Sequence, residues 1–438
     1  MSLIKSSYAK PIYIVDGLRS PMLKVKGKPG PFTASDLAVQ VCRALLAKQN
    51  FTPEQIDEVV TGCVMPSADE ANISRVIGLR VGCGKAVPAY TVQRNCASGL
   101  QALDNAAQDI ASGRYDLVLA GGTEAMSHAP VIYNRRMVSW LVDLNTAKTL
   151  AAKAAVLAKF RPSYLAPIWG LIRGLTDPMV GLSMGQTAEI VAHRFHITRQ
   201  QMDEFAYESH QRLARAFDLG YLQNEITPLY DTAGNYYLED DGLRRDTSLQ
   251  KLASLKPYFD KPFGEVTAGN SSQVTDGAAY LILASAEAVK RYKLPVLGRM
   301  VDTAWAALEP SEMGLGPAYV AARLLKQQHL KLDDIDYWEI NEAFAAQVLG
   351  CIAAWQDADY CRKYLGLEGA LGKLDLAKLN IDGGAVAIGH PVGASGARIT
   401  LHLLNILKRK QAKRGIATLC IGGGQGGAVL LENVEGVE

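Results

Sequence analysis

Two stretches that lie far apart in the chain share one pattern. Residues 41–57 (VCRALLAKQNFTPEQID) align without gaps with residues 320–336 (VAARLLKQQHLKLDDID), so that Ile56 falls on Ile335. Each copy has the apolar periodicity of an amphipathic helix, then a polar turn, then an apolar run typical of a β-strand. The period is too long for a solenoid of short repeats. The pattern therefore predicts two homologous halves within one chain.

A second pair of segments repeats in the same order. CASGLQALDNAAQ, which begins at Cys96, resembles GASGARITLHLLN, which begins at Gly393, and both place Ala-Ser-Gly where a loop enters a helix. An apolar strand and glycines follow each copy, as DLVLAGG and ATLCIGGG. Alternating strands and helices favour parallel α/β layers. Chance similarity between amphipathic helices is the alternative, which the agreement of two separate pairs disfavours.

The two halves are separated by a long stretch that has no counterpart in the second half. We predict a first half formed by residues 1–125 together with 275–295, an inserted loop domain of residues 126–274, and a second half of residues 296–438.

The insertion contains a basic segment. Residues 140–160 (WLVDLNTAKTLAAKAAVLAKF) have helical propensity, and residues 135–176 contain seven Lys or Arg against one acid, Asp143. A basic amphipathic helix can lie on an anionic membrane. A solvated lid or a helix packed within the insertion is the alternative.

The composition excludes several classes of protein. Hydrophobic residues make up 48% and charged residues 21% of the 438 residues, so a disordered chain is excluded. Lys and Arg number 46 against 44 Asp and Glu, and this balance gives no basic field for nucleic acid. We therefore expect no nucleic-acid partner.

The cysteines and the chain ends predict a reducing cytoplasm. Seven scattered cysteines with no C-x-x-C pair argue against a disulfide framework and against a metal site such as zinc. No apolar run approaches the ~18 residues that span a bilayer. The first residues lack the apolar core of a secretory signal, and the final EGVE matches no peroxisomal or retention address.

Cys96 is the first candidate catalytic residue, as a nucleophile. It lies in QRNCASGLQAL, where a loop enters a predicted helix. Unpaired N–H groups at a helix N-terminus lower a thiol pKa and favour the thiolate. The small neighbours Ala97, Ser98 and Gly99 leave room for a substrate carbonyl. A buried structural cysteine is the alternative.

His390 and Cys420 also lie on glycine-rich loops. His390, in AIGHPVGASG, is at the position mirror-related to Cys96, and Cys420 ends an apolar strand in ATLCIGGGQGG. The glycines after Cys420 expose backbone N–H groups that can stabilise an oxyanion. They formally match G-x-G-x-x-G, but only eleven residues follow Gly427, too few for the helix and second strand of a dinucleotide site.

Asn341 follows the predicted strand of the second copy, in INEAFAAQ. Its side chain could hold a water or polarise a carbonyl, or it could be the N-cap of the helix that follows. Two cysteines and a histidine on glycine loops, without a metal motif, together indicate covalent acyl transfer.

At these residues the sequence resembles the thiolase family. The motifs NCASG, NEAFA, GHP and CIGGG occur in the family's order, and VTAGNSSQVTDGAA (residues 266–279) resembles a further signature. The resemblance covers nearly the whole chain. It implies a thiolase fold of two βαβαβ-type halves in layers with an inserted loop domain, and a homodimer or homotetramer.

The resemblance also implies roles for the candidate residues. Cys96 would attack the keto carbon of a 3-ketoacyl-CoA, His390 would take its proton, and Cys420 would protonate the departing acetyl-CoA enolate. Asn341, through a water, and His390 would form one oxyanion hole, and the N–H groups of Cys96 and Gly422 the other.

Coenzyme A would be a substrate, and no cofactor is implied. The resemblance places it across the insertion, near Met184, Ala268 and Ser272, with Arg244 a weaker candidate for its adenylate end.

Two departures concern the subclass. Ser183 stands where many biosynthetic thiolases have His, while the basic insertion resembles degradative thiolases that work as subunits beside a hydratase/dehydrogenase and commonly carry His in place of Asn341. We expect a degradative 3-ketoacyl-CoA thiolase of fatty-acid β-oxidation. The alternatives are an acetoacetyl-CoA thiolase that condenses two acetyl-CoA, a β-ketoacyl synthase, against which Cys420 argues, and a non-catalytic acyl-CoA-binding subunit.

Overall fold

A computed structural model describes residues 6–434 of the chain. Residues 1–5 and 435–438, on which the expectations about targeting signals partly rest, lie outside the described range. The first half begins with five strands and three helices in the order β1 (Ile12–Arg19), β2 (Leu23–Lys24), α1 (Ala34–Leu46), β3 (Glu58–Gly62), α2 (Ile73–Arg80), β4 (Ala89–Val92), α3 (Ser98–Ala111) and β5 (Leu117–Ala125).

The insertion consists of short strands and helices of varied length. They are β6 (Val131–Tyr133), α4 (Arg135–Thr146), α5 (Leu150–Ala158), β7 (Pro167–Trp169), α6 (Gly170–Gly174), α7 (Met184–Arg194), α8 (Arg199–Asp218), β8 (Leu229–Tyr230), β9 (Tyr236–Tyr237) and α9 (Leu249–Ala253).

The chain then re-enters the core with β10 (Thr275–Ala284) and α10 (Ala286–Tyr292), which complete the first half. The second half consists of β11 (Gly298–Ala307), α11 (Gly316–Gln327), β12 (Tyr337–Ile340), α12 (Ala345–Gln356), α13 (Ala358–Tyr360), α14 (Ala385–Ile388), α15 (Ser395–Lys410), β13 (Arg414–Ile421) and β14 (Gln425–Glu432).

The core strands form one mixed sheet that repeats about its centre. Its order is β12-β13-β14-β11-β1-β10-β5-β3-β4, with β2 on β10. β1 and β11 pair antiparallel at the junction. Outward from there, β1-β10-β5-β3 corresponds to β11-β14-β13-β12, and the pairs β5/β3 and β13/β12 are both parallel. The position of β4 is occupied in the second half by a single bridge between Trp338 and Leu379. The predicted α/β fold of two duplicated halves is confirmed.

Alternate strand residues point to opposite faces of the sheet, and helices cover both faces. Helices α1 and α2 pack on the outer face of the first half, and α11 and α12 on that of the second. Helices α3 and α15 are buried together between the two halves, against strands of both. The arrangement is therefore layered, with a helical layer at the centre.

The two central helices touch at their N-terminal ends because glycines lie at the contact. A Cβ atom at Gly99 would lie 2.8 Å from the carbonyl oxygen of Gly393, and one at Gly396 would lie 2.5 Å from the backbone nitrogen of Leu100. Larger residues would force the helices apart. The contact brings the loop of Cys96 beside the loop of His390.

The single helix expected over residues 140–160 is wrong. The structure has two helices, α4 and α5, separated by Ala147, Lys148 and Thr149. Thr149 is extended and its side chain accepts a hydrogen bond from the backbone N–H of Ala152, so it caps a new helix. Helical composition alone did not reveal this start signal.

Candidate active site

Loops from both halves meet at the candidate site. Cys96 lies just before α3, His390 lies before α15, and Asn341 directly follows β12. Cys420 lies near the end of β13, and Gly422 begins the turn to β14. The duplication thus supplies two equivalent loop-to-helix junctions, and each carries one candidate catalytic side chain.

Cys96 is the only partly exposed residue among the seven cysteines, all of which lie in the described range, although its sulfur itself is shielded from solvent. Burial of its thiol raises the pKa to about 11, and hydrogen bonds from the backbone N–H groups of Gly422 and Cys96 itself lower it only in part. The expected lowering by the helix N-terminus is therefore wrong, because desolvation outweighs it. The thiol is protonated at neutral pH and needs a base.

His390 is oriented by a serine. Its Nδ1 lies 2.6 Å from the Ser395 hydroxyl, which donates its own proton to the carbonyl oxygen of Pro391 at 3.0 Å. The hydroxyl can then only accept from the ring, so Nδ1 carries the proton and Nε2 has the lone pair. No group in residues 6–434 hydrogen-bonds Nε2. His390 therefore presents a free basic nitrogen.

The imidazole is neutral in the resting protein. Burial, together with the positive charge of Arg398, lowers the pKa of His390 to about 3. A neutral imidazole can accept the Cys96 proton. A thiolate on Cys96 would then stabilise the imidazolium, since a nearby opposite charge favours the charged form of a titratable group.

Asn341 is held beside His390 and does not cap a helix. Its Nδ2 lies 3.4 Å from Nδ1 of His390, and its backbone N–H donates to the carbonyl oxygen of Thr418 at 2.9 Å. Helix α12 begins only at Ala345, with Phe344 as N-cap. The N-cap alternative is wrong, and the fully buried amide has an oxygen without a hydrogen-bond partner among the described residues.

Cys420 lies close enough to Cys96 for an electrostatic interaction between the two thiol groups. Burial raises the pKa of Cys420 well above its usual value, and a charge on Cys96 raises it further. The glycines that follow form a tight turn, with φ of 91° at Gly423 and 76° at Gly424, into the antiparallel strand β14. The segment is strand–turn–strand, so the dinucleotide alternative is excluded here too.

The candidate coenzyme A residues lie in two places. Met184 begins α7, and its sulfur would be 3.3 Å from a Cβ placed on Gly422, next to the thiols. Arg244 and Ala268 line one pocket of about 160 Å³ together with His210 and Lys251. Ser272 donates its backbone N–H to the carbonyl oxygen of Ala343, in the loop after Asn341.

Ser183, which departs from many biosynthetic thiolases, has a structural role here. It is the N-cap of α7, and its hydroxyl accepts the backbone N–H of Gln186 while the Gln186 side chain accepts the N–H of Ser183. This capping box fixes the start of α7, and Met184 with it.

Three residues beside the site were not singled out from the sequence. Glu124 is the penultimate residue of β5 and accepts the backbone N–H groups of Val64, Met65 and Gly393 at 2.9, 3.0 and 3.1 Å, which joins the loops of the two halves. Burial raises its pKa to about 7. The acidic residue in the otherwise apolar and small run DLVLAGGTEA could have identified Glu124 from the sequence.

The other two missed residues are Ser395 and Asn95. The repeated Ala-Ser-Gly could have identified Ser395, but no sequence pattern pointed to Asn95.

The comparisons decide the family. The N-terminal domain of thiolase matches residues 12–287, and the C-terminal domain of thiolase matches residues 294–433. The chain belongs to the thiolase family. The resemblance read from the motifs is thereby confirmed, and with it the assignment to the acyltransferases.

Relatives and solved structures agree along the whole length of this thiolase. It is 36% identical to a 3-ketoacyl-CoA thiolase of Yersinia pestis over 423 residues, 96% of each chain. Human mitochondrial 3-ketoacyl-CoA thiolase superimposes with a TM-score of 0.83 at 36% identity, covering 98% of this chain and 100% of that one, and it has also been solved in complex with CoA. An acetyl-CoA acetyltransferase of Bacillus anthracis matches with a TM-score of 0.82 at 34% identity, covering 98% and 100% of the two chains.

Residues 6–434 contain neither a membrane-spanning helix nor a cluster of metal-binding side chains. No helix there is long and apolar enough to cross a membrane. No group of three or more His, Cys, Asp or Glu side chains in that range is placed to hold a metal ion.

Proposed function

We propose that this thiolase catalyses the reversible cleavage of a 3-ketoacyl-CoA by CoA, giving acetyl-CoA and a shortened acyl-CoA through an acyl-Cys96 intermediate. One observation supports the proposal: the loop of Cys96 contacts the loop of His390 through Gly99 and Gly393, and a charge on Cys96 acts on Cys420.

In the first half-reaction, Cys96 Sγ bonds to the keto carbon of the substrate while Nε2 of His390 takes the thiol proton. The bond between that carbon and the α-carbon breaks, and Cys420 gives its proton to the acetyl-CoA enolate that leaves. The proton on His390 then restores the Cys420 thiol.

In the second half-reaction, His390 takes the proton of CoA, and the CoA sulfur attacks the acyl-Cys96 carbonyl. Cys96 leaves and regains its proton from His390. After both half-reactions, Cys96, Cys420 and His390 are back in their starting protonation states.

Two sets of donors would stabilise the oxyanions. Asn341, through a water, and His390 serve one, and the backbone N–H groups of Cys96 and Gly422 serve the other. Each such donor is typically worth about 3–4 kcal/mol of transition-state stabilisation. Two observations support these assignments: the amide of Asn341 is buried, and the backbone N–H of Gly422 hydrogen-bonds the Cys96 thiol.

We propose that coenzyme A binds as a substrate, with no resident cofactor, against Met184, Arg244, Ala268 and Ser272. The pocket lined by Arg244 and Ala268 presents the positively charged guanidinium of Arg244, which suits the phosphates of the adenylate end. Met184 beside Gly422 suits the thiol end of the pantetheine arm.

We propose that the enzyme is degradative and that its physiological substrate is a 3-ketoacyl-CoA formed in fatty-acid β-oxidation. Steady-state thiolysis of acetoacetyl-CoA and of a C16 3-ketoacyl-CoA tests this. We expect kcat/KM for the long substrate to equal or exceed that for acetoacetyl-CoA. A clear preference for acetoacetyl-CoA would favour the alternative, an acetoacetyl-CoA thiolase, and thiolysis of neither would contradict the proposed function.

We propose further that the protein forms a homodimer or homotetramer and that it is located in the reducing cytoplasm. The edge strand β4 is only half-buried and offers unpaired backbone groups to another chain. All seven cysteines are free.

The basic segment of the insertion is proposed to contact an anionic membrane. Several of its apolar side chains are exposed, with Val142 55%, Leu150 88%, Leu157 53% and Ile172 64% accessible. The seven Lys and Arg residues of the segment are exposed beside them. Exposed apolar and basic side chains within one segment fit a bilayer with anionic headgroups. A hydratase/dehydrogenase partner subunit, or a solvated lid, is the alternative.

Sedimentation with vesicles tests the membrane proposal. The wild-type protein should sediment with phosphatidylglycerol vesicles and not with phosphatidylcholine vesicles. Lys153→Glu/Lys159→Glu should weaken binding at least ~30-fold, at about 1 kcal/mol per basic residue. The matched control Lys85→Glu/Lys290→Glu, on other exposed surfaces, should bind as the wild type does. Equal binding by both variants, or no binding to anionic vesicles, would contradict the proposal.

A further inference from the structure

Asn95, the residue before Cys96, has an unusual backbone conformation. Its φ of 43° is in the left-handed region, which non-glycine residues rarely adopt and asparagine tolerates best. The turn is closed around it, because its carbonyl oxygen accepts the hydroxyl of Ser98 at 2.7 Å and the backbone N–H of Ser98 at 3.0 Å. Asn95 is therefore fixed relative to the start of α3.

The side chain of Asn95 crosses from the first half to the second. Its Nδ2 donates a hydrogen bond of 2.8 Å to the carbonyl oxygen of Gly422, which is 327 residues away in the sequence. Gly422 has no side chain, and Gly423 and Gly424 after it are both left-handed. Such a glycine turn has little conformational restraint of its own. The hydrogen bond from Asn95 supplies a restraint at the residue whose N–H faces Cys96.

We propose that Asn95 is a positioning residue that fixes the Gly422 N–H relative to the Cys96 sulfur across the junction of the two halves. The inference deepens the proposed function and rests on it, since it concerns the oxyanion hole formed by Cys96 and Gly422. Asn95 does not touch the reacting atoms. It acts through the geometry of Gly422, so its loss should slow the chemical step and leave substrate binding intact.

The test compares Asn95→Gly with Gln411→Gly. Glycine adopts the left-handed backbone without strain, so Asn95→Gly removes the amide and not the turn. Gln411 is exposed, has φ of 50° and ends α15, so it is a matched control away from the site. We expect kcat for thiolysis to fall ~10–100-fold in Asn95→Gly, because a displaced oxyanion donor costs less than the ~10²–10³-fold of a deleted one. KM should change less than about twofold, and Gln411→Gly should match the wild type.

A second readout does not depend on turnover. The Gly422 N–H supports a negative charge on Cys96, so alkylation of Cys96 by iodoacetamide should slow several-fold in Asn95→Gly. Asn95→Asp, which keeps the shape but cannot donate to Gly422, should slow thiolysis at least as much as Asn95→Gly.

The outcomes separate this inference from the proposed function. If the wild type turns over and Asn95→Gly keeps its kcat and its alkylation rate, the inference is wrong and the function stands. A rise in KM without a fall in kcat, or a lower Tm with unchanged kinetics, would also overturn it. If the wild type shows no thiolysis, the function fails, and the alkylation rates alone decide the role of Asn95.

Discussion

Cys96→Ala is expected to lower the rate of thiolysis at least ~10⁴-fold, the scale on which loss of a covalent nucleophile acts. Alanine keeps the small side chain at the start of α3 and removes the atom that would carry the acyl group. Intact mass after mixing with acetyl-CoA gives the direct measurement. The wild type should gain one acetyl group per chain, and Cys96→Ala should gain none.

The matched control is Cys83→Ala. Cys83 is buried in the core of the first half, and burial raises its pKa to about 11, as it does for Cys96. Equal pKa values therefore do not distinguish the two thiols, but position does, since only Cys96 lies beside Gly422. Cys83→Ala should keep the acetyl group. Acetylation of Cys96→Ala, or an unmodified but folded wild type, would mean that this chain binds acyl-CoA without covalent catalysis at Cys96.

Cys420→Ala is expected to separate the two chemical steps. Condensation of acetyl-CoA needs a group that removes the α-proton, and loss of such an acid–base group costs ~10²–10⁴-fold. Acylation of Cys96 by acetyl-CoA needs no proton at that carbon. Condensation should therefore fall to background, while the acetyl-enzyme remains detectable by intact mass.

Cys351→Ala controls for the loss of a buried thiol near this position. Cys351 is buried on α12, donates to the carbonyl oxygen of Gly314 at 3.3 Å, and influences the pKa of Cys420. It should leave both steps within about twofold of wild type. If Cys420→Ala loses acylation as well, with an unchanged Tm, Cys420 is not simply a proton carrier.

Much of the site could be predicted because its parts are local patterns. Each reactive residue lies at a junction that the sequence marks itself, such as Ala-Ser-Gly before α3 and α15 or the glycines after β13. The repeated order of those junctions implied that the halves pair, and so that loops distant in sequence could meet. The assignment of three units along the chain stays a prediction.

The errors arose where a local rule competed with burial or with a neighbouring signal. A helix N-terminus does favour a thiolate, yet desolvation holds the Cys96 thiol protonated. Residues 140–160 have helical composition, yet Thr149 starts a second helix. Asn341 could have capped α12, yet it lies one turn too early and faces His390.

The sequence by itself determined the duplication and the family and supplied the candidate reactive residues, because periodicity and motif spacing are properties of neighbouring residues. Only the tertiary structure decided the protonation of Cys96, the free Nε2 of His390 and the bond from Asn95 to Gly422. These depend on solvent exclusion and on contacts between residues hundreds of positions apart. No local pattern encodes such contacts, because they exist only once the two halves have packed against each other.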